Sequence, residues 1–287
     1  MRIAAVALAA LCIAAVGPGF TRAAGAREQA VAGIGDVVAA AEKYLVEFDR
    51  DSQALFAEER SQQTDNRFNT KQETRALRSN VLMFRDGAEP IWFRDVIEVN
   101  GSKVADPDRL MALVIASAAP PGDPASMPVV TPMQIVTEST RQQYGGGFRT
   151  VNQPGAALGY LRAGKPADLT FKSEGSKTLD GTKVVLLTLK DAPGAHVVPF
   201  AVSGVQGRFW IDPVSGRVLQ TELEFIMAAV YRTKITVRYG LDKTLNIVVP
   251  ILMTDEYENR VELVTGRAEY RNFRKVKIDP AMFAIAR

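Results

Sequence analysis

From Val205 to Tyr239 the sequence reads VQGRFWIDPVSGRVLQTELEFIMAAVYRTKITVRY, three successive segments in which apolar and polar residues alternate. Phe209 and Ile211 alternate with Arg208, Trp210 and Asp212; Leu223, Phe225 and Met227 with Gln220, Glu222 and Glu224; Ile235, Val237 and Tyr239 with Lys234, Thr236 and Arg238. A period of two marks strands with one buried and one wet face. Between the first two, Asp-Pro-Val-Ser-Gly combines a proline that presets a turn torsion with a glycine free to take positive φ, so this pair is a hairpin. With the third strand beside the second, Glu222 and Glu224 share the outer face with Lys234 and Arg238, worth roughly 0.2–1 kcal/mol per cross-strand pair. A slip of one residue would bury those charges instead, at several kcal/mol. Phe209, Ile211, Leu223, Phe225, Ile235, Val237 and Tyr239 are therefore expected on one inward apolar face, the candidate ligand-binding surface, and that face needs a cover.

The chain starts with Met1-Arg2, an apolar run from Ile3 to Val16, and then Gly17-Pro18-Gly19 and Ala24-Gly25-Ala26. A charged start, a short apolar run and small residues before a cleavage point describe a secretory signal peptide. The run is shorter than the roughly 20 residues that span a bilayer. Residues 1–26 are read as the signal and the mature chain as starting at Arg27, in the periplasm. The single cysteine, Cys12, leaves with the signal, and Leu11 before it does not suit lipidation. The mature chain then has no disulfide, no thiol nucleophile and no cysteine-ligated metal, which suits a periplasmic domain whose core is large enough without staples.

Val31, Ile34, Val38, Ala41, Leu45 and Phe48 recur at spacings of three and four, predicting an amphipathic helix of about five turns. Three strands are expected between Ala54 and Asn100, with turns at Asp86-Gly87 and Asn100-Gly101. From Val104 to Lys165 come start and stop signals for three short helices. One opens at Asp106-Pro107. The next opens at Thr131 and runs to Gly145-Gly146-Gly147, and the third opens at Pro154 and carries Leu158, Tyr160 and Leu161. Strands resume with a hairpin turning at Asp180-Gly181, then the alternating stretch and two further strands; Pro250 marks either an edge strand or a bend. The expectation is a single mainly β (α+β) domain, residues 27–287, with about ten mostly antiparallel strands, a leading helix and inserted helices.

A net charge of +3 with 23% charged residues gives no electrostatic support for nucleic-acid binding. The only histidine, His196, sits in a loop without a serine or cysteine motif, and no nucleophile elbow, phosphate-cradling loop or metal spacing appears. Neither catalysis, a cofactor nor a metal is expected. Asp255, Glu256 and Glu258 read as a solvated turn. Arg271, Arg274, Lys275 and Lys277 read as an edge kept soluble by charge, with contact to anionic lipid as the alternative.

The exported start, leading helix, mid-chain helices, the segment GRFWIDPVSGRVLQTELEF and the closing EYRNFRKVKIDPAMF together resemble the periplasmic lipoprotein-carrier family, the outer-membrane lipoprotein-sorting proteins (the LolA/LolB-like fold) and their relatives among envelope-stress regulators. That resemblance implies an incompletely closed antiparallel β-barrel under a helical lid, holding acyl chains on its apolar face. It implies a lipid or acylated protein as partner, with an envelope protein and peripheral contact to the membrane as further interactions. The alternative is an envelope sensor or scaffold that uses the same fold without lipid transport. From the residues alone, an inner face of this kind is either filled by its own helices or open to a ligand.

Overall fold

The computed structural model describes residues 33–52, 54–67, 71–86, 89–105, 138–144, 152–162, 169–190, 202–227 and 229–276. The expected signal peptide, the helix at Asp106-Pro107, most of the helix from Thr131, His196 and Lys277 lie outside them. A helix, α1 (Ile34–Asp51), comes first. Asp36 closes its first turn by accepting from the Gly33 amide at 3.1 Å, and at its other end the Ser52 amide donates to the Phe48 carbonyl at 2.9 Å. Its buried stripe is Val37, Ala41, Leu45 and Phe48. The expected stripe is thus corrected by one position: Ile34 is exposed and Val38 half-buried, because a step of four back from Ala41 selects Val37 from the adjacent valines.

Among the described residues eleven strands follow: β1 (Ala54–Arg67), β2 (Glu73–Asp86), β3 (Glu89–Val99), β4 (Ser102–Lys103), β5 (Thr170–Leu179), β6 (Thr182–Lys190), β7 (Val202–Ile211), β8 (Val218–Met227), β9 (Tyr231–Asp242), β10 (Ile247–Glu258) and β11 (Glu262–Lys275). They form one antiparallel sheet in the order β4-β3-β2-β1-β11-β10-β9-β8-β7-β6-β5. The fold is an incompletely closed β-barrel with an N-terminal helix; the strand beyond the expected ten is the two-residue β4. Two meanders, β1 to β4 and β5 to β11, are welded where the first strand pairs with the last, from Leu55↔Lys275 to Arg67↔Glu262. Asn100-Gly101 (φ 49° and 82°) and Asp180-Gly181 (48° and 80°) make tight turns with both residues left-handed, which suits the strand twist.

Of the two readings at Pro250, edge or bend, the bend holds, and the basic segment read as an edge is an interior strand. Pro250 lies in β10, between β9 and β11, and its effect is the bend: the register with β9 shifts between Pro250 and Leu252. The basic segment Arg271 to Lys275 lies in β11, paired with β1, and its charges stand on the wet face. Arg271 bonds Glu269, and the Arg274 guanidinium stacks 4.1 Å above the Phe56 ring. Asp255 is likewise no turn residue. It sits within β10, 2% exposed, while Glu256 and Glu258 point to solvent on the same strand.

Candidate functional site

The inner face of the sheet carries two chemistries. Over β6 to β9 it is apolar: Phe209 and Ile211 on β7, Leu223 and Phe225 on β8, and Ile235, Val237 and Tyr239 on β9 all belong to one buried cluster with Leu187 and Leu189 of β6. None of the seven expected face residues exceeds 7% exposure. Glu222 and Glu224 take the opposite face. Arg208 and Lys234 bond Glu222 at 2.7 and 3.2 Å, and Arg232 bonds Glu224 at 2.5 Å. Arg238 turns away from them to Asp180.

The cover over this apolar half comes from α1 and from a short 3₁₀ helix, Ala156–Leu161, where the sequence places the third inserted helix. Ala157, Leu158, Tyr160 and Leu161 are buried in the same cluster as Leu45 and Phe48 of α1. Among the described residues, no main-chain to main-chain hydrogen bond links 152–162 to a strand. Side chains do that work. The Tyr239 hydroxyl donates to the Pro154 carbonyl at 2.6 Å, and Arg162 binds Asp49 of α1 through two contacts of 3.1 Å. Gly155 lies against the Trp92 indole, where a Cβ would come within 2.9 Å of Nε1. Burial pushes the Tyr239 phenol up; its contact with Thr221 and the charge of Arg162 oppose this less strongly.

Over β1, and at Arg94 of β3 and Asp255 of β10, the inner face turns polar. On β1 the inward positions run from Leu55 and Ala57 to Glu59, Gln63 and Asp65, all buried. Glu59 faces Arg94 of β3 across the interior in a two-pronged ion pair, with Nε and Nη2 at 2.8 and 2.7 Å. Burial, the largest influence on Arg94, works against its charge, but Glu59 and then the Tyr270 phenol outweigh it and push its pKa up. Burial, then Glu59, pushes Tyr270 up in turn.

Two mid-chain pieces dock on this polar half. In the first, Ser139 accepts from the Arg94 amide at 3.2 Å, Gln63 donates to the Gln143 side chain at 3.2 Å, and Arg75 stacks 4.1 Å over Tyr144. In the second, the Asn152 side chain donates to Asp255 and its carbonyl accepts from Arg94 at 3.4 Å. Composition and spacing did not point to these residues, since a polar side chain on an inward position looks like an outward one. The available signal was the EERSQQTDNR segment of β1, where polar residues occupy both faces.

Among the described residues, no group of three or more metal-ligating side chains gathers, and no helix is long and apolar enough to cross a membrane. The sequence matches no protein-family model and no curated protein. Solved structures are similar at low identity. One is a domain described as an outer membrane lipoprotein-sorting protein domain from Vibrio parahaemolyticus, at 10% identity and TM-score 0.39, covering 83% of this chain and 91% of that one. A LolA superfamily protein from Nitrosomonas europaea matches at 14% identity and TM-score 0.34 over 85% of this chain and 97% of that one. A DUF1329 family protein from Desulfovibrio piger matches at 12% identity and TM-score 0.33 over 84% and 93%.

Proposed function

We propose that the protein is an exported, periplasmic carrier, not an enzyme, that holds the acyl chain of a lipid or acylated protein against the apolar half of its inner face. Phe209, Ile211, Leu223, Phe225, Ile235, Val237 and Tyr239 form the floor, and the chain takes the place of Leu158, Tyr160 and Leu161 when the cover lifts. The observation that supports this most is the attachment of the cover. Its apolar side chains fill the interior, yet among the described residues only side-chain contacts fasten it to the strands, so it can leave without breaking the sheet.

Magnitudes set the length of chain required. Exposing a large apolar side chain costs about 1.5–3 kcal/mol, so lifting three of them costs roughly 5–9 kcal/mol. A methylene returns about 0.8 kcal/mol on burial, so roughly six to eleven buried methylenes are needed to offset the lifted cover. Displacement of a fluorescent fatty-acid probe by straight-chain acids from octanoate to stearate tests the reading. The expected result is weak competition by octanoate and steadily tighter binding with each added methylene until the interior is full. The variant Leu158→Ala/Leu161→Ala, which lightens the cover and leaves every strand intact, should bind shorter chains than the parent does. A folded protein whose response is flat with chain length overturns the carrier reading and favours a sensor or scaffold.

A further inference from the structure

Two side chains of the apolar interior end on the same peptide unit of the cover. The Tyr239 hydroxyl donates to the Pro154 carbonyl at 2.6 Å. The Trp92 indole meets the next residue, Gly155, with its nitrogen edge foremost: a Cβ there would lie 2.9 Å from Nε1 but 3.6 and 3.8 Å from Cε2 and Cζ2. Both rings, one on β9 and one on β3, belong to the buried apolar cluster, so they stand in the interior itself.

Their hydrogens are used differently. A carbonyl only accepts, so the single phenol proton of Tyr239 goes to Pro154, and Thr221, 3.3 Å away, must donate its own to the phenol oxygen. Trp92 Nε1 is a donor only, and among the described residues it has no hydrogen-bond partner although Trp92 is 5% exposed. A buried donor without an acceptor destabilises the closed form. When the cover lifts, Tyr239 loses its acceptor as well, and the interior is left with an O–H and an N–H that no oxygen receives.

We propose that these two donors seat the carbonyl oxygen at the head of a bound acyl chain, in the place of the Pro154 carbonyl, and that the seat selects a neutral ester or amide over a free carboxylate. The inference rests on the carrier reading above and specifies how the ligand's head is held. A carbonyl oxygen has two lone pairs and can accept from both donors at once. Both donors are neutral and the cluster around them is apolar, so a full negative charge would be desolvated there without a counter-ion. Arg162, whose charge reaches Tyr239, is held by Asp49 of α1. An acylated lipid or protein fits this seat better than a fatty acid does.

Loading of the full folded protein from an equimolar cyclodextrin mixture of methyl hexadecanoate, hexadecanoate and 1-chlorohexadecane at neutral pH, with the bound fractions quantified by mass spectrometry, tests the seat. The ester should load about fivefold or more over the acid and over the chloride, whose head is neutral and a poor acceptor. In Tyr239→Phe and in Trp92→Phe the ester's lead over the chloride should shrink severalfold; the ratio is read because loss of the Tyr239 hydroxyl also frees the cover. A lead that survives either substitution overturns the two-donor seat, and so does equal loading of the three by the parent. A lead of the acid over the ester overturns the selection of a neutral head. In each of these cases, uptake that still rises from methyl octanoate to methyl hexadecanoate leaves the carrier reading standing. Uptake that does not depend on chain length overturns the carrier reading itself.

Discussion

Gly216 stands against the main-chain carbonyl of Ala40 so closely that a Cβ in its place would lie 2.1 Å from the oxygen. The turn between β7 and β8 is thus a seat for α1 as well as a reversal. Asp212 shapes it by accepting from the Val214 amide at 2.9 Å and from the Ser215 hydroxyl at 2.8 Å, and Gly216 completes it at φ +71°. Gly216→Ala should cost roughly 3 kcal/mol or more, since both the torsion and the helix contact are violated. Gly181→Ala, at φ +80° with open space around it, should cost only about 1 kcal/mol. Urea unfolding of the two variants measures the difference, and equal losses would show that α1 does not rest on the turn.

The Glu59 and Arg94 pair is too deeply buried to lose one partner cheaply. Glu59→Leu or Arg94→Met alone should destabilise by about 3–5 kcal/mol, because each leaves an uncompensated group inside. Glu59→Leu with Arg94→Met should recover much of that loss, though the Ser139 and Asn152 docking would be weakened as Arg94 also serves the Asn152 carbonyl. Unfolding of both singles and the double in one cycle checks the coupling; additive losses would mean that the two charges do not depend on each other.

Arg162 and Asp49 fasten the 3₁₀ helix to α1 near the surface, with side chains 12% and 17% exposed. Arg162→Gln should therefore cost little stability, about 1 kcal/mol, and should accelerate uptake of a fatty-acid probe by loosening the cover. Stopped-flow binding reads the rate. An unchanged rate with unchanged stability would show that this pair does not hold the cover closed.

Alkaline pH should open the interior before it reaches the rest of the fold. Unfolded tyrosine titrates near about 10, and burial raises Tyr239 and Tyr270 above that in the folded chain. Above pH ~10 the unfolded state binds fewer protons than the folded one, so the contribution of these phenols is whole below that pH and declines as pH rises past it. Tyrosinate absorbance followed with near-ultraviolet circular dichroism should show the buried phenols, Tyr239 and Tyr270 among them, ionising only together with loss of tertiary signal. Full ionisation with the signal intact would contradict their burial in neutral form.

The strands from Val205 to Tyr239 were legible in the sequence because they are half-wet, and the binary code of Phe225 in and Glu224 out has one consistent register. The polar half of the interior was not, because it breaks that code. Asp255 within Asp-Glu-Tyr-Glu resembles a turn until Asn152, 103 residues away in sequence, supplies its partner. Glu59 looks like any solvent-facing glutamate until Arg94 arrives from another strand. The helix stripe was off by one position for a milder reason: Val37 and Val38 are both apolar, and only packing against the sheet separates them.

The pairing of β1 with β11 puts the beginning and the end of the sheet at its centre, where Arg67 meets Glu262 across 195 residues of chain. Each meander is made of near neighbours and can assemble early, whereas this ladder must wait for the most distant partners and carries the loop-closure entropy of the whole fold. A cut between the meanders would leave that central seam whole, so the two pieces should be able to find each other again along it. Loss of β11 would instead strip β1 and its meander of the one strand partner that the described residues give them in the other half.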